Sequence, residues 1–257
     1  MNLVSKIVSS FLLTTVACAV FAQSSVQFDG NEDYIYIQKT EVYDVSAFTV
    51  MAWVKWEGSS ITDYYGIASN YSGGGTNQHY GIRMSDQGKA SVFIDNGTTF
   101  QTLNSTININ DGEWHHIAGV FDGGNFIKIY VDGALDGTLS TSYAQLTPTS
   151  DFYIGVDGSA QGESDWNGNI DNVSIWNYPL NKSYINEWRF KEFTGKELGL
   201  IGYWPMNEEV GTVTQDLTGN SNGIFRAMQP LLLQRLCTMA PLSCPLWPLS
   251  PPGYPTM

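Results

Sequence analysis

Apolar and polar residues alternate along much of the chain with a period of two. The clearest run is 47–56 (AFTVMAWVKW), which sets Phe48, Val50, Ala52, Val54 and Trp56 on one side. Successive side chains of a strand point to opposite faces, so this pattern predicts a β-strand with one face in a core. Shorter runs of the same character cover 34–37, 91–95, 114–121, 126–131, 152–156 and 170–176. They are rich in Val, Ile, Phe, Tyr and Trp, the residues that fit a pleated surface. Asp-Gly pairs punctuate them at Asp29-Gly30, Asp111-Gly112, Asp122-Gly123, Asp132-Gly133, Asp136-Gly137 and Asp157-Gly158. Glycine accepts positive φ without penalty, which tight hairpin turns require. Residues 126–140 (FIKIYVDGALDGTLS) therefore predict a hairpin. Many short strands joined by such turns predict an antiparallel sandwich or barrel.

Two segments break the period. After Pro179, residues Leu180, Tyr184, Ile185 and Trp188 recur at helical spacing, with Asn181 placed to cap the first turn. One short helix is expected there, covering one end of the β structure. At the start, Lys6 precedes an apolar run from 7 to 21, with Val20 and Ala22 at small-residue positions ahead of Gln23. The run is too short to span a bilayer and reads as a secretory signal peptide over 1–22, cut after Ala22. Cys18 as a lipoprotein cysteine is the alternative. Export to the cell surface or beyond is expected, with no membrane span.

The charge narrows the partners. The net charge is −13, from 25 acidic and 12 basic residues. Nucleic acid requires a cationic face and is not an expected partner. Neutral ligands or cations are favoured. Only Cys18, Cys237 and Cys244 are present, so disulfides do not hold the middle of the chain. From Arg226 to Met257 there is no Asp, Glu or Lys, and seven of the ten prolines lie there. This Pro/Leu-rich tail, 226–257, is expected to lack packed structure. A shifted or misjoined reading frame from near Ile224 is the suggested origin.

Five segments in order resemble the LamG-like jelly-roll domain of the concanavalin A-like lectin/glucanase superfamily, as found in secreted bacterial proteins. They are VQFDGNEDYIYI (26–37), FTVMAWVKW (48–56), DGEWHHIAGVFDG (111–123), IYVDGALDG (129–137) and GNIDNVSIWNYPLN (168–181). The resemblance implies an all-β fold, a two-sheet antiparallel jelly-roll sandwich, over 24–190. The family's usual opening segment is missing before Val26. A stretch of that type appears instead at 199–223 (GLIGYWPMNEEVGTVTQDLTGNSNG). Residues 191–225 then hold a linker and either the start of a truncated second repeat, slightly preferred, or a closing strand of the first domain.

The chemistry points to binding. Polysaccharide-cleaving relatives of this sandwich carry acidic residues two apart on one strand, where carboxylates serve as nucleophile and acid. The nearest match, Glu163 and Asp165, lacks the closing Glu and lies in a Gly/Ser-rich stretch. HExxH, GxSxG and P-loop motifs are absent. His115 and His116 are adjacent on a strand, point to opposite faces and cannot share one ion. Calcium takes oxygen ligands from Asp, Asn and carbonyls in loops. Asp29 and Asp33 flank one turn, and the resemblance places Asp171 near it, so these three are the candidate structural calcium ligands. Ordinary turn duty is the competing reading. Flat aromatic rings stack on sugars while amides hydrogen-bond them. The stretch 59–81 is richest in both, and Tyr64, Tyr71, Asn77, Gln78 and His79 are the candidate ligand contacts. Tyr65 and Tyr80 read as strand residues packed in the core, as does Trp166. The expected function is a secreted, non-catalytic module for an extracellular glycan. A structural or adhesion module contacting a cell-surface protein or neighbouring repeats is the alternative.

Overall fold

The computed structural model describes residues 25–71, 78–142, 146–158, 164–208 and 211–226. The expected signal peptide, Asn77, Glu163 and the tail beyond Arg226 lie outside the described residues. Within them the strands are β1 (Val26–Asp29), β2 (Tyr34–Ile37), β3 (Phe48–Trp56), β4 (Tyr65–Ser69), β5 (Gln78–Met84), β6 (Lys89–Asn96), β7 (Phe100–Asn108), β8 (Trp114–Phe121), β9 (Phe126–Val131), β10 (Ala134–Ser140), β11 (Phe152–Ile154), β12 (Asn167–Trp176), β13 (Leu200–Trp204), β14 (Val213–Thr214) and β15 (Gly223–Arg226). The helix α1 spans Lys182–Trp188.

The strands form two antiparallel sheets. The first runs β1-β12-β3-β8-β9-β10, with β13 also paired to β12. The second runs β14-β15-β2-β11-β4-β5-β6-β7. The architecture is a two-sheet jelly-roll sandwich, as the sequence predicts. Phe48, Val50, Ala52, Val54 and Trp56 of β3 all enter the core between the sheets, where they meet Tyr80, Ile82 and Val92 of the second sheet. Tyr80 stacks on Phe48 at 4.6 Å, and Trp56 packs against Tyr65 and Trp166. These three residues are core, not surface platforms.

The other side of the first sheet is also partly covered. Met51, Ala118, Val120, Tyr130 and Trp176 form a second apolar layer with Leu180, Ile185, Phe193 and Tyr203. The helix that seals this layer is capped as expected, the Asn181 side chain accepting the Tyr184 N–H at 3.1 Å. Ile185 is buried, but Tyr184 is exposed and packs at a tilt against Trp188 at 4.7 Å. Tyr184 sits one residue, about 100° of helical rotation, from Ile185, which takes it off the buried stripe.

Asp132-Gly133 makes the predicted hairpin turn between β9 and β10. Both residues have positive φ, 52° and 79°, and Val131 pairs directly with Ala134. That is the type I′ geometry matched to the twist of the flanking strands. Asp136-Gly137, expected as another turn, lies inside β10 at a register shift between Leu135 and Gly137. The pair bulges the strand instead of ending it. Part of the 59–81 stretch is regular, since β4 and the start of β5 lie within it.

Residues 199–226 pair into this sandwich, the less favoured of the two expectations. β1 covers β12 only from Asn167 to Ile170. β13 takes the rest of that edge, Val173 pairing with Trp204. β15 pairs with the whole of β2 in the other sheet, Gly223 against Ile37. Asp216 holds the connection, accepting the Tyr203 N–H on one oxygen and the Asn220 and Ser221 N–H groups on the other. Unpaired strand edges are costly when buried, and these strands satisfy them.

Candidate functional site

The turn from Asp29 to Asp33 brings two of the three expected calcium ligands together. Asp33 Oδ2 accepts the Asp29 N–H at 2.9 Å, and Asp29 Oδ1 accepts the Asn31 N–H at 2.9 Å. Asp165, two residues before the Asn167 that pairs with Asp29, accepts the Glu32 N–H. Asp33 and Asp165 are buried. Burial pushes the Asp33 carboxyl up to about 6, and the nearby Asp29 and Asp165 charges add to the rise. Asp171 does not join them. Asp29 stands opposite Asn167 and Val26 opposite Ile170, so Asp171 lies beyond the other end of β1. Four residues of strand separate the two places, about 13 Å. Asp171 is buried opposite Trp53 of β3, with Asn172 Nδ2 on its Oδ2 at 3.0 Å. Among the described residues no group of three or more His, Cys, Asp or Glu side chains is disposed to hold a metal ion.

His115 and His116 have separate structural partners. His115 Nδ1 faces Asp132 Oδ2 at 2.9 Å, while the His116 ring packs edge-on to Trp53 at 5.3 Å. Asp132 Oδ1 also accepts the His116 N–H, which ties the hairpin turn to β8.

The remaining surface of the sandwich, the outer face of the second sheet, carries a different chemistry. Along β5, Tyr80, Ile82 and Met84 point into the core. Their neighbours His79, Gly81 and Arg83 therefore point outward. The cross-strand register places Asp95 opposite His79 and Phe93 opposite Gly81 on β6, and Phe100 of β7 opposite Asp95. The Arg83 guanidinium lies over three rings, 3.9 Å from Tyr64, 4.6 Å from Phe93 and 5.1 Å from Phe100. Its Nη1 donates to Asp157 Oδ2 at 2.7 Å. Arg83 is 6% exposed and Asp157 7%. Arg83 Nε and Asp157 Oδ1 are buried without a hydrogen-bond partner among the described residues. Burial raises the Asp157 carboxyl above its usual range despite the opposing guanidinium.

The expected ligand contacts divide around this cluster. Tyr64 covers Arg83 from the loop before β4. Tyr71 is half-buried and packs edge-on to His79 at 5.1 Å and to Phe93 at 6.0 Å. His79 is fully buried, with Nδ1 3.3 Å from Asp95 Oδ2, and burial lowers its pKa below the ordinary value. Gln78 spends its amide on the scaffold, donating to the Asn96 carbonyl and accepting the Thr147 N–H. Arg83, Phe93, Phe100, Asp95 and Asp157 were not singled out from the sequence. The signal was there in the alternation of β5, which places an arginine on the same face as His79. A second group of rings, Tyr34, Tyr36 and Tyr153, lies further along the same sheet at centroid distances of 6.0 and 6.1 Å.

A model of the concanavalin A-like lectin/glucanase superfamily, laminin G type, matches residues 29–186, more than half of the chain. The chain belongs to this family. Among curated proteins none matches the sequence. Among solved structures, a protein of Bacteroides ovatus, provisionally assigned as carbohydrate-binding, superposes with a TM-score of 0.65 at 22% identity. The match covers 79% of this chain and 58% of that one, so the chain spans little over half of its length. The sialidase carbohydrate-binding module of Ruminococcus gnavus gives 0.51 at 13% identity, covering 64% of this chain and 95% of that one. Domain 4 of an extracellular arabinanase from Geobacillus stearothermophilus, solved with arabinotriose, gives 0.50 at 18%, covering 63% and 75%. At these identities the likeness is one of fold.

Proposed function

We propose that the chain is a non-catalytic module that binds a carbohydrate on the outer face of its second sheet. The observation that carries this reading is the Arg83 cluster. A buried charged pair with spare hydrogen-bonding atoms lies among the rings of Tyr64, Phe93 and Phe100, outside the core. Rings beside fixed polar groups are the means by which proteins hold sugars. Part of the first sheet's outer face is covered by α1 and the chain after it. Two of the fold relatives named above are carbohydrate-binding by their own descriptions, and a third was solved with arabinotriose. Fold alone does not fix function, so the site residues carry the argument.

The reading is tested by a glycan array probed with the full chain and with Phe100→Ala. Phe100 is an exposed ring, so its loss should spare the fold. Binding to a glycan set that weakens on loss of Phe100 supports the site. No binding, or binding indifferent to Phe100, argues against it. A protein-contacting role has its own support in the exposed apolar side chains around α1, with Phe190 59% and Leu198 93% exposed. Export by the N-terminal leader belongs to the same proposal, as does the absence of catalysis. Calcium is a secondary proposal that rests on Asp29 and Asp33, with carbonyl oxygens of their turn as further ligands.

A further inference from the structure

The fold relatives leave open which kind of sugar such a face takes, since one was solved with neutral arabinotriose and another belongs to a sialidase. The chemistry at Arg83 narrows the choice. Arg83 Nε is a buried donor without a partner among the described residues, and Asp157 Oδ1 is a buried acceptor in the same position. The two side chains are joined through their other atoms, Nη1 and Oδ2, at 2.7 Å. One donor and one acceptor on two joined side chains suit a group that both accepts and donates, which is a hydroxyl. A carboxylate or sulfate only accepts, and it would set a second anion against Asp157 in a site shielded from water.

The charges around the pair point the same way. Asp157, Asp95 and Asp63 all act electrostatically on Tyr71 in this cluster, and Arg83 is the one cation acting with them. His79 adds no positive charge, being fully buried with its neutral form favoured. Three carboxylates against one guanidinium leave the site negative. Like charge brought to such a surface is disfavoured, and the cost grows as water is excluded. We infer that the Arg83–Asp157 pair receives a sugar hydroxyl and that the site takes neutral glycans and rejects anionic ones. This rests on the proposed binding site and deepens it. Tyr64 covers the guanidinium from the loop before β4, so a sugar reaches the pair by displacing that ring and then stacking against it.

The test is calorimetric titration of the full chain with two sets of probes. The neutral set is arabinan, galactan, mannan and β-glucan; the anionic set is polygalacturonate, alginate and chondroitin sulfate. At least one neutral probe should bind, and every anionic probe should bind at least tenfold more weakly. Asp157→Asn should weaken the neutral probe about tenfold, the loss of one charge-assisted hydrogen bond, and narrow the gap to the anionic set. Asp63 is exposed, so Asp63→Asn serves where Asp157→Asn fails to fold. It should narrow the gap at low salt without changing neutral binding. An anionic probe bound as tightly as the neutral ones overturns the inference and leaves the binding site standing. Discrimination unchanged in every folded variant overturns it too. Failure of both probe sets to bind overturns the carbohydrate reading itself.

Discussion

At the scale of single residues, Asp33 shows how burial turns a turn-former into a titrating group. Asp33 reads in the sequence as one of three calcium ligands or as a plain turn residue. In the fold it is buried beside Asp29 and Asp165, and its carboxyl is pushed up to about 6 from 3.8. The native state therefore holds this proton more tightly than the unfolded chain. The stability this supplies is complete below the unfolded value and is lost as pH rises through about 6. Asp33→Asn keeps an oxygen for the Asp29 N–H and removes the charge. It should stabilise the protein by about 1–2 kcal/mol near neutral pH in the absence of cations, with no gain below about pH 4. Urea unfolding at the two pH values checks this, and equal stability of both proteins at neutral pH would contradict it. Calcium relieves the same repulsion, so it should raise the wild-type melting temperature and leave Asp33→Asn unmoved. Identical wild-type melts in millimolar calcium and in chelator end the calcium proposal. Arg83 marks the limit of what a sequence displays at this scale. Its partner Asp157 is 74 positions away.

At the scale of elements, the legible strands are those whose alternation is strong and whose two faces differ. β3, β8, β9 and β12 appear where the apolar period places them. β7 (FQTLNSTIN) did not, because it is an edge strand with a largely polar sequence and little burial. β5 is obscured in the sequence by its outward His79 and Arg83, residues of the candidate site, and β4 (YGIAS) by its shortness. The Asp-Gly rule held at Asp132-Gly133 and failed at Asp136-Gly137, where local sequence cannot tell a turn from a bulge. The turn at Gly133 offers a direct check. It has φ of 79°, and an added Cβ would lie 2.6 Å from Asn186 Oδ1 of α1. Gly133→Ala should cost about 1–2 kcal/mol from the backbone conformation alone. The melting temperature should fall by about 2–8 °C, and an unchanged melt would contradict the turn geometry. Ile185→Ala should cost about 2–4 kcal/mol by opening a cavity under α1, measured by the same melts.

At the scale of the whole molecule, the sheet edges decide how much chain the sandwich needs. Ending the chain at Leu198 removes β13, β14 and β15, opens the β12 and β2 edges, and takes buried Trp204 from the core. Such a truncation should aggregate or unfold, while one ending at Arg226 should stay soluble with a cooperative melt. Equal behaviour of the two would restore the second-repeat expectation for 199–223. The family and the two-sheet fold were legible in the order of five motifs. The closure was not, because pairing between residues 35–37 and 223–225 leaves no trace in local pattern. The same division holds for function, since a partly covered first sheet and an aromatic, charged second sheet emerge only when both are assembled. The proposed site for a carbohydrate is Tyr64 and the Arg83 pair. Its most direct measurement is the affinity of the full chain for the best glycan on the array, before and after Tyr64→Ala, with the melting temperature recorded for each. Affinity should fall at least about tenfold, in line with one stacking ring, at an unchanged melting temperature. Undiminished affinity in a folded Tyr64→Ala protein would contradict that site.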